Sequence, residues 1–517
     1  MADKRQSWGT RLGIIMAVAG SAVGLGNFLR FPVQAASNGG GAFMIPYFIS
    51  LLVLGIPLMW VEWTIGRYGG GFGHGTAPGI FHTMWQKNRF IKYFGVIGIF
   101  GPLVILIYYT YIESWTLAYS FFAITGKYAG AATESAMQSF LRGFQGLEHN
   151  QHFSGLGIAY IFFIITFLLN MWVIYYGIKG GIEKLCNIAM PLLFICGIIL
   201  TVRVLTLGAP DPARPSWNLV NGLGFLWNPD FSALRSAKVW LAAAGQILFT
   251  LSIGIGVILT YASYLSKGDD VVLSGVSAAG MNEFAEVIIG GSIVIPVAFA
   301  FFGPENIQAI ARGGAFNLGF VTMPLIFSKI SSGAFFGCVW FLLLFLAGIT
   351  SSVSLAQPAI AFLEDEFNIT RKRAVLIFAA VTFILCQPAI FFLGRGVVDE
   401  LDFWGGTFCL VLFAAVEVVL FAWVFGMENA WKEIHHGADM NVPGVYKFII
   451  KYITPLFLFA ILGFWLYQDG IPIILMKSVG PNKAFVLATR FFLILIFISI
   501  AIMVKIAWAR KRRALKR

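Results

Sequence analysis

The sequence predicts an all-α polytopic membrane protein of about twelve transmembrane helices, built as two inverted five-helix repeats, each opening with a broken helix, plus two further helices. Three observations carry this reading. Of 517 residues 58% are hydrophobic and only 12% charged, with 51 Phe and 15 Trp, more apolar surface than a soluble domain can use. Windows of roughly 20 apolar residues, the length that crosses a bilayer, recur along the chain. Two of these windows are interrupted at corresponding places in the two halves, and such interruptions point to a secondary transporter's midplane site.

The spans fall near 11–36, 41–69, 91–124, 155–176, 184–207, 238–264, 272–302, 331–364, 372–394, 403–425, 446–468 and 483–508. Span 1 contains AVAGSAVGLGNFLRF (Ala17–Phe31), where glycines, Asn27 and Arg30 interrupt an otherwise membrane-crossing run; it is too broken for a cleaved signal peptide. Backbone freed from helical bonding at membrane depth is tolerated only where it lines an enclosed or watery cavity. Spans 2–5 complete the first set, so residues 11–207 form one repeat after a short N-terminal segment, 1–10. The Pro- and Asn-rich stretch within 208–237 reads as an outer loop. Span 6 carries the second interruption, FTLSIGIG (Phe249–Gly256), and opens the repeat 238–425. An odd number of spans per repeat requires the two to be inverted. Spans 11 and 12 occupy 446–508, and 509–517 is a basic tail.

Lys and Arg in short loops set orientation. Lys4, Arg5 and Arg11, the tail from Arg510 to Arg517, the loop with Arg67, Lys87, Arg89 and Lys92, and Arg371–Arg373 all fall on one side, which predicts a plasma-membrane protein with both termini cytoplasmic. The net charge of +12 is therefore a topology signal with a lipid-facing tail, and no basic soluble domain exists to bind nucleic acid. Cys186, Cys196, Cys338, Cys386 and Cys409 lie in apolar spans without a CxxC pair, and the six histidines show no ligand spacing. No nucleophile elbow or Walker loop occurs, so the hydrolase and ATP-driven readings lose support.

Broken helices offer carbonyls to a small cation at the end of one half-helix and N–H groups to an anion at the start of the next. Asn27, Thr250 and Asn282 place neutral oxygens beside the breaks. In span 8, AGITSS supplies Ala347, Thr350 and Ser351, hydroxyls that either bond back to their own helix or face the Gly20 and Val23 carbonyls as a second cation site. A neutral shell holds Na⁺ weakly, so a substrate carboxylate that completes it couples the two binding events.

The strings RLGIIMAVAGSAVGLGNFLRFP and NGGGAFMIPY, IYYTYIESW in span 3, FTLS in span 6, NEFAEVIIGGS in span 7, and AGITSS with QPAIAFLEDE in span 8 resemble the neurotransmitter:sodium symporter family, in order and over nearly the whole chain. The resemblance implies a first Na⁺ site from Ala22, Asn27, Thr250 and Asn282, and a second from Gly20, Val23, Ala347, Thr350 and Ser351. It implies an amino-acid site in which Leu25, Gly26 and Tyr109 hold the carboxylate; Ala22, Phe249, Thr250 and Ser252 meet the amino group; and Ile105, Ile255, Ser351 and Leu355 face the side chain. Gly24 stands where amine carriers of the family have an aspartate, so the substrate must bring its own carboxylate, and aliphatic walls favour a neutral apolar amino acid. Glu286 stands where chloride-dependent relatives have serine, which implies chloride independence and a candidate for proton counter-transport. Arg30 with Asp402, under Tyr109 and Phe249, resembles an outer gate, and Arg5 with Asp365, beside Trp8, Ser263, Tyr264 and Gln357, an inner one. Glu62 and Glu113 read as braces for the unwound segments.

The expectation is a non-enzymatic, Na⁺-coupled symporter of neutral amino acids with no organic cofactor, with membrane lipid and a second copy of the chain as candidate partners. Two alternatives stay open: a Na⁺-independent exchanger of the same architecture, and a transporter-like amino-acid sensor.

Overall fold

The computed structural model describes residues 6–229, 231–477 and 480–515. Among them helices dominate and no β-strand forms. Among the described residues ten helices are long and apolar enough to cross a membrane, and the broken α1 and α6 complete the twelve expected spans. α1 is broken into Arg11–Ala22 (α1a) and Leu25–Ser37 (α1b), bent by 46°. It is followed by α2 (Gly41–Gly70), α3 (Ile91–Thr125), α4 (Gly157–Tyr175) and α5 (Ile178–Leu205). α6 is broken into Ala237–Thr250 (α6a) and Val257–Ala262 (α6b). Then come α7 (Val272–Phe302), α8 (Gly333–Phe367), α9 (Arg371–Phe391), α10 (Val397–His435), α11 (Val445–Gln468) and α12 (Lys483–Leu515).

Local chemistry sets both breaks. α1a starts at a Thr10 cap whose hydroxyl accepts from Gly13 N–H at 2.9 Å. It stops at Val23, and extended Gly24 (φ −115°, ψ −166°) caps α1b, with its N–H donated to Asn27 Oδ1 at 2.8 Å. The α6 break is tighter. Gly254 has φ +75°, and a Cβ there would lie 2.4 Å from the Leu410 carbonyl oxygen, so only glycine fits between α6 and α10.

α8 packs along α3, α1a lies against α7 and α8, and α6b against α2. The lipid-facing surface is apolar; the interior between the broken helices carries buried Asn27, Thr250, Asn282, Glu286 and Ser351. One element was not anticipated. Residues 304–328, read as a connection, form two helices, Pro304–Arg312 and Gly314–Ser328, bent by 120°. The second arm is apolar enough to suggest a span, but Gly314 at φ +82° turns the chain back.

Candidate functional site

The breaks of α1 and α6 face one another across a cavity of ≈ 50 Å³. All eleven residues expected at the amino-acid site line it: Ala22, Leu25, Gly26, Ile105, Tyr109, Phe249, Thr250, Ser252, Ile255, Ser351 and Leu355. Ser21, Gly24, Asn27, Ser354 and Leu410 complete the wall. Leu410 was missed because one leucine in the apolar run of α10 carries no signal in sequence. The α1b N-terminus opens into this space, and the Leu25 N–H donates to the Tyr109 hydroxyl at 3.2 Å. An amide and a hydroxyl at a helix start suit a carboxylate. Ser252, held at φ 53°, donates its hydroxyl to the Ser21 carbonyl at 2.8 Å and so ties the two breaks together.

Gly24 decides what else fits. A Cβ on it would lie 2.9 Å from Ser351 Oγ and 3.1 Å from the Tyr109 hydroxyl, so a side chain here requires those two hydroxyls to give way. The cavity thus has no acidic side chain among its lining residues.

The first cation set comes together. Asn27 Nδ2 donates to Asn282 Oδ1 at 2.8 Å and to Thr250 Oγ1 at 3.1 Å. In the amide's other orientation the Asn282 nitrogen takes that place and donates to the Ala22 and Thr250 carbonyl oxygens, each at 3.2 Å, while its oxygen accepts from the Thr250 hydroxyl at 3.1 Å. Two backbone carbonyls, a hydroxyl and two amides thus meet at one point, and neutral oxygens of these kinds are ligands a hard cation takes. The Asn27 amide supplies the donor here, and coordination through its oxygen requires that amide to turn over. The Thr250 hydroxyl donates to Glu286 Oε2, which also accepts, through Oε1, from Gln246 at 2.9 Å and Tyr47 at 3.1 Å. Glu286 therefore fixes the Thr250 proton away from the cluster and leaves its lone pairs facing inward.

For the second set, both readings of the hydroxyls are partly realised. Thr350 donates back to Leu346 O at 3.0 Å and Ala347 O at 3.2 Å. Ser351 divides its hydroxyl between Ala347 O at 3.0 Å and, on α1a, Ser21 O at 3.3 Å and Gly20 O at 3.4 Å. A Cβ on Gly20 would lie 3.1 Å from Thr350 Cβ, which is how α1 approaches α8 so closely. Val23 is fully buried at the end of α1a, beside this set in sequence. Among the described residues no group of His, Cys, Asp and Glu could hold a metal ion.

The expected gates differ in construction from the reading above. On the face away from the N-terminus, Arg30 and Asp402 do not form a direct ion pair. The Arg30 guanidinium lies 4.1 Å over the Phe249 ring, and Asp402 accepts from the Tyr108 hydroxyl at 2.6 Å. Tyr108 was missed because it adjoins Tyr109 on the sequence and only the packing of α10 shows which tyrosine meets Asp402. On the N-terminal face, Arg5 lies outside the described residues and Asp365 sits half-buried on the last turn of α8. Trp8 Nε1 donates to Tyr261 O at 2.9 Å, and Gln357 Nε2 to the Tyr264 hydroxyl at 2.8 Å. Arg371 then holds Gln357 Oε1 at 2.8 Å and Glu364 at 2.9 Å. Ser263 turns its hydroxyl into its own helix, to Thr260 O at 2.6 Å.

Of the two braces, Glu62 accepts from the Gly254 N–H at 2.5 Å and so holds the α6 break, joined by the fully buried Glu417 of α10. Glu417 was legible as an acid within an apolar span but went unread. Glu113 does not touch a break: it accepts from Asn170 at 3.1 Å and Ser352 at 2.6 Å, stitching α3, α4 and α8.

A sequence model of the sodium:neurotransmitter symporter family matches residues 5–511. The chain belongs to this family. An uncharacterized sodium-dependent transporter of Methanocaldococcus jannaschii is 31% identical to it over 468 residues, 89% of this chain and 90% of the relative. The sodium-dependent serotonin transporter of Drosophila melanogaster is 25% identical over 521 residues, 90% and 80% of the two chains. The crystal structure of MhsT in complex with L-phenylalanine superposes with a TM-score of 0.74 at 31% identity, covering 89% of this chain and all of that one. This family member is thus a sodium-dependent, multi-pass membrane transporter and not an enzyme, and its fold is that of MhsT.

Proposed function

We propose that the protein is a Na⁺-coupled symporter that imports neutral, mainly apolar amino acids by alternating access, without chloride. The observation that carries the substrate class is Gly24 in a lining without an acid: the cavity has no carboxylate to pair a free amine, and Ile105, Ile255, Leu355 and Leu410 offer a side chain nothing to hydrogen-bond. The amino acid's carboxylate then meets the α1b N-terminus and completes the first Na⁺ shell, which couples ion and substrate. The phenylalanine seated in MhsT supports the same class. Glu286 supplies the fixed charge behind Thr250 that makes chloride unnecessary, and it is the group that would take a proton on the return step. Residues 11–207 and 238–425 act as the inverted repeats, and the N-terminal face is cytoplasmic at the plasma membrane.

The test is scintillation binding of tritiated Leu, Ala, Met, Val, Phe, Trp, Gly and serotonin in Na⁺ against choline, with and without chloride. Binding of apolar amino acids only in Na⁺, unchanged by chloride, is expected. Serotonin binding, or amino-acid binding in choline, contradicts the reading.

A further inference from the structure

At the N-terminal face three separate elements meet on one carboxylate that the transport site does not use. Glu366, on the last turn of α8, is 3% exposed. Its Oε1 lies 2.8 Å from His74 Nδ1, in the connection after α2, and its Oε2 lies 2.8 Å from Lys511 Nζ, near the end of α12. His74 also stacks on Trp508 of α12, with centroids 6.0 Å apart and planes 8° from parallel. The Lys92 ammonium lies 5.2 Å from the same indole and His82 meets its edge at 5.9 Å, while Arg510 covers Phe367 at 5.7 Å. Only 33% of the apolar window of α12 is buried within the protein, and the helix is tied near both ends: Arg490 pairs with Glu400 of α10 at 2.8 Å, and the basic end joins the Glu366 junction.

α2 packs against α6b and α7, whereas α8 packs along α3 and also touches α1a and α6b. The junction thus bridges α8 to the connection after α2, and a motion that separates these two at the N-terminal face pulls His74 from Glu366. A carboxylate at 3% exposure is costly to leave without its partners. The neighbouring residues on the same turn are Asp365 and Glu364, the latter already holding Arg371 and, at 3.3 Å, Gln6.

We propose that Glu366, His74 and Lys511 form a latch through which the end of α12 keeps the N-terminal face closed, with Glu366 as a positioning residue for the last turn of α8. This rests on the alternating-access reading above. It makes α12, outside the two repeats, a participant in setting the conformational balance.

The experiment uses the full-length protein in liposomes, with Ser263→Cys as reporter, since Ser263 is 1% exposed and lies on α6b's side of the pathway. The rate of its modification by a methanethiosulfonate reagent in Na⁺ and in K⁺ is measured after subtraction of the parent's native cysteines. Lys511→Glu, Glu366→Gln and His74→Gln are each expected to raise the rate in Na⁺ about tenfold. The exchanged pair Glu366→Lys with Lys511→Glu should bring it back toward the parent rate, which a loss of mere packing would not. If Glu366→Gln fails to fold, Lys511→Glu and His74→Gln carry the same test. Unchanged rates in folded variants overturn the latch, as does a raised rate that the exchanged pair fails to lower. Failure of the underlying reading looks different: the reporter without latch changes reacts equally in Na⁺ and K⁺, and tritiated leucine binding shows no Na⁺ dependence.

Discussion

The two ends of the central cavity are closed by unequal means. Toward the far face there is one layer: Tyr109 and Phe249 are partly exposed, Arg30 rests on the Phe249 ring, and Asp402 is turned to Tyr108. Toward the N-terminal face the closure is several contacts deep, from Trp8 on Tyr261 through Gln357, Tyr264 and Arg371 to the Glu366 junction. A ring contact at a partly exposed site contributes about 0.5–1 kcal/mol, whereas losing one partner from a buried polar network costs about 1–3 kcal/mol. On the alternating-access reading proposed above, the thin closure is the one expected to open more readily.

That asymmetry can be broken from either end. The largest effect is expected in the middle, where both closures meet the site: Gly24→Asp should abolish sodium-dependent amino-acid binding, a loss of at least about 100-fold set by the steric overlap with Ser351 and Tyr109, measured by scintillation binding. Next, Arg371→Ala removes the group shared by Gln357 and Glu364 and should shift the balance toward the N-terminal opening by about 10-fold, read as faster labelling of Ser263→Cys. Thr250→Val should raise the Na⁺ concentration for half-maximal binding about 10-fold, since it deletes both the ligand oxygen and the hydrogen bond to Glu286. Arg30→Ala removes only the contact over Phe249 and should speed substrate release to the far side about 2- to 5-fold, measured by dissociation of bound tritiated amino acid. Tyr108→Phe should be smaller still, because Asp402 is exposed and water replaces the lost donor.

Legibility in the sequence followed how local each feature is. Twelve spans and both breaks were readable because glycines and polar residues inside apolar runs act where they stand: Gly24 as an extended cap, Gly254 at positive φ against Leu410. The lining of the cavity was readable through motifs that keep their spacing. Features that depend on which helix packs where were not. Arg30 and Asp402 suggest a pair by charge, yet the packing of α3 gives Asp402 to Tyr108 and leaves Arg30 to an aromatic face. Glu113 looks like Glu62 in sequence, but its partners are Asn170 and Ser352, neither of which belongs to a break. The two helices at 304–328 were hidden because Gly303, Pro304, Gly313 and Gly314 punctuate the stretch as they would a connection, and the turn at Gly314 shows only in the fold.

The central claim is that sodium and an apolar amino acid move together through this cavity. Its most direct test is uptake of tritiated leucine, methionine and phenylalanine into liposomes holding the purified protein, with an inward Na⁺ gradient against equal Na⁺ on both sides. Accumulation above the external concentration that collapses when the gradient is removed is the predicted result. Equilibration or one-for-one exchange that ignores the Na⁺ gradient would contradict the account.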